Sequence, residues 1–140
     1  FVGANAGGEG DGAQAVFTGG EWRAAQRRLG RMPVGEGVME LILDLVRACR
    51  PDDETATEAV RENVAWGPGP RAAQALMMTV RAQALLQGRL APNAQDVIDM
   101  AGPVLSHRMA LTLAARARGE NLAGLIAETV SRFDNVGAAA

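Results

Sequence analysis

The sequence predicts an all-α fold, a small helical bundle. Apolar residues recur at helical spacing in several separate segments, and start and stop signals bracket those segments. No stretch alternates apolar and polar residues over the length of a strand, and no internal repeat is present. At 140 residues the chain is the size of one domain, long enough to bury about two-thirds of its unfolded surface.

The first seventeen residues contain glycines at 3, 7, 8, 10 and 12 without a hydrophobic period and read as a flexible arm. Thr18-Gly19-Gly20-Glu21 has the form of a capping box. A first helix is expected over about Glu21–Arg31, with Trp22, Ala25, Leu29 and Met32 facing inward and Arg23, Arg27, Arg28 and Arg31 on a solvated face. A second helix, about Gly35–Arg50, carries the cleanest stripe, with Val38, Leu41, Ile42, Leu45, Val46 and Cys49 on one side; Pro51 stops it. The acidic connection from Asp52 to Trp66 has room for a short helical turn at Thr57–Arg61, capped by Thr57. Its Asp52-Asp53-Glu54 run reads as solvated carboxylates rather than a cation site. A third helix is predicted over about Pro70–Gln87, ending at Gly88 in a left-handed cap. Met77 and Met78 then fall at the core and at its edge. A fourth helix, about Pro92–His107, contains Pro103, which should kink it or split it in two. Residues 108–112 are either extended or helical. A last helix over Asn121–Phe133 precedes a loose tail, 134–140.

Composition excludes several function classes. The net charge is −2 and all fourteen cationic side chains are arginine. A nucleic-acid module would normally show a basic face. A P-loop requires a lysine that this chain lacks, so the run Gly7-Gly8-Glu9-Gly10-Asp11-Gly12 is not one. Cys49 and His107 are the only residues of their types, which leaves no disulfide framework, thiolate cluster or His-rich metal site. A Ser-His-Asp arrangement on Ser106 or Ser131 has no supporting motif. No apolar run approaches the roughly 20 residues of a membrane span, and no secretory signal is visible. The expected setting is cytoplasmic, without nucleic-acid or membrane partners.

The stretch that points to chemistry is Trp66-Gly67-Pro68-Gly69-Pro70-Arg71-Ala72. Proline suits the first helical position, where its missing N–H would have no intrahelical partner. Arg71 then falls in the first turn, where a cation opposes the helix dipole at a cost of about 0.3–1 kcal/mol. A guanidinium beside free helix N–H groups makes a phosphate receptor; the bland alternative is a solvated arginine. Gly67 and Gly69 would let backbone approach a nucleotide, while Pro68 and Pro70 limit slack. The bland reading of these four is a helix-capping turn. Trp66 either packs under this loop or lies near an adenine, and core packing is the default.

Together, the Leu41–Arg50 stripe, the 66–72 motif, Ala84-Leu85-Leu86-Gln87-Gly88-Arg89, Asp96-Val97 and Val104-Leu105-Ser106-His107-Arg108 resemble the C-terminal lid of MoxR-type AAA+ ATPases. The resemblance covers about residues 18–133 and rests on two well-separated motifs. It implies that Arg71 is the sensor 2 arginine reaching the γ-phosphate, with Gly67, Pro68, Gly69 and Pro70 shaping the loop before it. His107 and Arg108 supply a second pair of candidate contacts; Arg108 would pair with an acidic group of the core or cap a helix end. Residues 1–17 would be the linker from an ATPase core whose Walker A, Walker B, sensor 1 and arginine finger are not in this sequence. The implied parent is an ATP- and Mg²⁺-dependent homo-hexamer with chaperone-like activity on partner proteins. The lid would work against its own AAA+ core and, by itself, neither turn over ATP nor bind it tightly. The competing reading is a stand-alone helical protein-interaction domain. An in-frame Walker A sequence upstream of Phe1 would separate the two.

Overall fold

The computed structural model describes residues 16–133. Expectations for residues 1–15 and for the tail from 134 lie outside the described residues. Within them the chain forms α1 (Gly19–Arg31), α2 (Glu36–Ala48), α3 (Glu58–Asn63), β1 (Val64–Trp66), α4 (Pro70–Leu86), α5 (Ala94–Leu105), β2 (Ala110–Leu111), α6 (Leu113–Ala117) and α7 (Leu122–Ser131). The fold is the expected small helical bundle, with a minor two-stranded ladder added.

Helix α4 is the hub, packed against α1, α2 and α5, while α7 closes on α5 and α2. The core is aliphatic. Ile42 and Leu45 from α2, Leu76 and Val80 from α4, Val97 and Leu105 from α5 and Ile126 from α7 are all essentially inaccessible. Fully burying a side chain of this kind contributes about 1.5–3 kcal/mol, so these four helices supply most of the driving force.

The local signals act as their chemistry requires. Thr18 accepts from the Glu21 amide at 3.2 Å and Glu21 accepts from the Thr18 amide at 2.7 Å, completing the first capping box. Asn93 and Asp96 form a second one at the start of α5. Thr57 caps α3 through the Val60 amide. Helix α4 ends in a Schellman motif: Gly88 sits at φ +72°, the Arg89 amide donates to the Ala84 carbonyl and the Gly88 amide to the Leu85 carbonyl.

Two expectations are corrected and one left open is resolved. Trp22 does not face inward; it is 59% exposed, and α1 has no buried residue. The helix packs chiefly against α4, so its far side has no second layer to cover it. Pro103 does not split α5, which runs unbroken through it to Leu105. Proline here falls in the last turn, where only the bond to the Asp99 carbonyl is lost and little helix remains to be bent. Residues 108–112, left open above, include a strand: β2 pairs antiparallel with β1, with Val64 opposite Leu111 and Trp66 opposite Ala110. Strands of three and two residues are too short to show a period.

Candidate functional site

The loop before α4 is pinned to the end of α2. A Cβ placed on Gly67 would lie 2.6 Å from the Cys49 carbonyl oxygen and 2.7 Å from the Arg50 Cα. Both are backbone atoms that cannot rotate away, so only glycine permits this approach. Pro68, next in the chain, is among the fully buried side chains. Gly69 has open space where its side chain would be, and is the N-cap of α4 without any side-chain cap. Pro70 takes the first helical position as expected. The loop is therefore tethered at 67–68 and opens outward at 69–71.

Arg71 projects from this outward end. It is exposed, and it makes no hydrogen bond or ion pair with another described residue. The helix behind it is 17 residues long, with no acidic residue in its first turn. An uncompensated guanidinium thus sits at the positive end of an uncapped helix, an arrangement that favours an anion.

A shallow cleft of about 350 Å³ lies against the same loop, lined by Arg50, Pro51, Asp52, Ala65, Trp66 and residues 67–70. Arg50 is a member that sequence reasoning missed, because a polar residue ending a helix carries no distinguishing signal. Its guanidinium meets Asp52 at 3.1 Å. The two groups hold each other charged: the hydrogen bond to Asp52 raises the Arg50 pKa, and its counterpart lowers that of Asp52. Of the two arginines at this end, Arg50 is neutralised by a neighbour and Arg71 is not. Trp66 is not a core residue; it is 55% exposed on the cleft wall. A bulge between Val64 and Trp66 breaks the alternation of β1, so Val64 points in while Ala65 and Trp66 both point out.

His107 and Arg108 arrive by way of the ladder. Because Trp66 pairs with Ala110, the chain leaving β1 toward Gly67 and the chain entering β2 from Arg108 lie at the same end of it. Two motifs some forty residues apart in sequence are brought to one region by this pairing. Arg108 donates to the Val104 carbonyl at 2.8 Å, capping the end of α5, and contacts the His107 ring. The capping alternative for Arg108 is thus realised here.

Asp96 and Arg89 form a bidentate pair that sequence reasoning did not identify, with contacts of 2.8 and 2.5 Å. Burial alone would raise the Asp96 pKa, but the Arg89 guanidinium and the Asn93 amide outweigh it and hold the carboxyl below its ordinary value. This pair fastens the loop after α4 to the start of α5. Burial pushes the Cys49 thiol up to about 12, as befits a small core residue. A larger groove of about 470 Å³ between α5 and α7 is mostly apolar and contains no cation, so it is not a phosphate receptor. No group of three or more potential metal ligands occurs among the described residues.

The fold defines a class: a small helical bundle built around one central helix, whose start is tethered through a glycine-proline loop to a neighbouring helix. The comparisons with known proteins agree with that class. The AAA lid domain family matches residues 56–128, and the chain belongs to it. It is 33% identical over 84 residues to the chaperone MoxR1 of Mycobacterium tuberculosis, covering 60% of this chain and 22% of that protein. It is also similar to the crystal structure of a candidate ATPase from Cytophaga hutchinsonii, with a TM-score of 0.70 at 28% identity over 76% of this chain and 32% of that one. The chain therefore spans between a fifth and a third of the relatives it matches.

Proposed function

We propose that this chain is the sensor 2 lid of a MoxR-type AAA+ ATPase, closing over ATP and Mg²⁺ held by a core domain, with Arg71 reading the γ-phosphate. The observation that carries the proposal is the state of Arg71: exposed, unpaired, and held at an uncapped helix start by a loop tethered through Gly67 and Pro68. What sets Arg71 apart from the other exposed arginines is its place in the first turn of a long helix with no acidic residue there, where an unpaired cation opposes the dipole unless an anion joins it. An always-charged planar fork on a rigid helix suits phosphate recognition better than a flexible ammonium. A contact that exists with ATP and is lost after hydrolysis gives the lid different affinities in the two states, and that difference lets hydrolysis move it. Similarity to the chaperone MoxR1 supports extending the reading to a hexameric parent that remodels or matures partner proteins. His107 and Arg108, at the same end of the ladder as the loop, are proposed as second contacts, Arg108 only after release from the Val104 carbonyl.

The deciding experiment compares Arg71→Ala and Arg71→Lys with the unmodified full-length enzyme. Removing a positioned charge-assisted donor from a water-poor site costs about 10²–10³ in turnover. Lysine is expected to restore part of it. Folded Arg71→Ala enzyme turning over at the parental rate would end the sensor reading. The 140-residue chain alone is expected to bind ATP no better than millimolar, because one arginine supplies too few phosphate contacts; calorimetric titration with ATP and Mg²⁺ checks this.

A further inference from the structure

The two N-terminal helices expose complementary stripes. On α1, Arg23, Arg27 and Arg31 recur every four residues and are exposed, with Arg28 beside them and Trp22, 59% exposed, along one flank. On α2, Glu36, Glu40 and Asp44 recur every four residues and are likewise exposed, flanked by Met39 at 44% and Leu43 at 46%. Four residues of helix rise about 6 Å, so three cations and three carboxylates stand at the same pitch. Among the described residues the ion pairs are Arg50–Asp52 and Arg89–Asp96, so no member of either stripe is ion-paired within them; Arg23 donates only to the Gly19 carbonyl of its own helix. The main packing partner of α1 is α4, and those of α2 are α4 and α5.

We infer that these stripes form a contact between two copies of this chain, α1 of one copy lying antiparallel on α2 of the next. Antiparallel apposition aligns more than the charges. At about 100° per residue, Trp22 lies on the same rotational side of the arginine row as Met39 and Leu43 lie of the acidic row. Reversing one helix brings those like sides together, placing Trp22 near Leu43 as Arg23 meets Asp44, whereas a parallel pairing would separate them. Opposed helix dipoles favour the same direction. The contact also gives α1 what it lacks, a second layer over a helix that has no buried residue. Tryptophan and arginine on one face are the residue types most enriched where protein interfaces hold their binding energy. The inference is independent of the nucleotide reading, since it uses neither Arg71 nor its loop.

Sedimentation velocity on the 140-residue chain over a concentration series tests it. Reversible self-association is expected at low salt and is expected to disappear between about 0.1 M and 1 M salt, as screening shortens from about 10 to 3 Å. The double variants Arg27→Glu/Arg31→Glu and Glu40→Arg/Asp44→Arg should each remain monomeric, weakening association at least about tenfold. An equimolar mixture of the two should associate again, because each then offers the other an opposite stripe. Far-ultraviolet circular dichroism and melting verify that both variants are folded. A parent that is monomeric throughout, variants that associate like the parent, or a mixture that stays monomeric would each overturn the inference. So would a monomeric parent that sediments with phosphatidylserine vesicles through the same arginines, which would make the basic stripe a membrane-binding face.

Discussion

Substituting Gly67 and Gly69 separately measures how the arginine-bearing loop is held. A methyl on Gly67 meets the Cys49 carbonyl oxygen at 2.6 Å and the Arg50 Cα at 2.7 Å, with the Pro51 Cδ at 3.1 Å. The first two belong to the C-cap of α2 and the residue after it, next to the completely buried Leu45 and Cys49, so relief requires moving either that helix end or the loop. Overpacking of this kind costs about 1–3 kcal/mol. Restricting the unfolded chain returns about 0.4–1 kcal/mol. The expected net loss is about 1–2 kcal/mol, or a fall in Tm of about 3–8 °C for a domain of this size. Gly69 is the control, with φ −86° and nothing within 4 Å of its Cβ position. Alanine there is a poorer N-cap than glycine, but the unfolded-state gain offsets this to within about 0.5 kcal/mol. Thermal melts and urea titrations of Gly67→Ala, Gly69→Ala and parent provide the comparison, and tryptophan fluorescence reports movement next door at Trp66. Equal Tm values for the two variants, or a Gly67→Ala protein as stable as the parent, would refute the claim that the loop is tethered at Gly67.

Asp96→Asn should cost about 1–3 kcal/mol at neutral pH, because it weakens a nearly buried charge-assisted pair while keeping an oxygen for the Asn93 amide. The folded-state pKa of Asp96 lies below its unfolded value, so its contribution is present above the unfolded value and is lost as pH falls through the folded one. The stability gap between parent and variant should therefore narrow from about pH 4 downward; a gap that widens on acidification would contradict it. Cys49, buried and with its thiol at about 12, should resist a maleimide in the native protein and react fully in denaturant, as mass spectrometry would show. Arg71→Ala should leave the fold intact or more stable by about 0.3–1 kcal/mol at low ionic strength, since it removes a cation from a helix N-terminus. A marked fall in Tm would assign Arg71 a structural role.

Most of the helical fold is written locally. Thr18 with Glu21, Thr57, Pro70 and Gly88 act within one turn of chain, and the α2 stripe from Leu41 to Cys49 needs only a helical period to be seen. The position of Arg71 at the start of α4 belongs to this class, because Pro70 and the apolar repeat after it place the helix boundary. Tertiary structure decided what covers each face. Trp22 is exposed because α1 packs chiefly on one helix, α4, and Trp66 because a bulge turns β1 at its end; neither depends on the residues immediately around it. The ladder that carries Arg108 toward the 66–70 loop, the Arg89–Asp96 lock and the tether of Gly67 to α2 all join positions separated along the chain. Helix caps and stripes are set by interactions within a few residues, whereas tethers and exposure are set by which elements share a surface, and that appears only once the helices have packed.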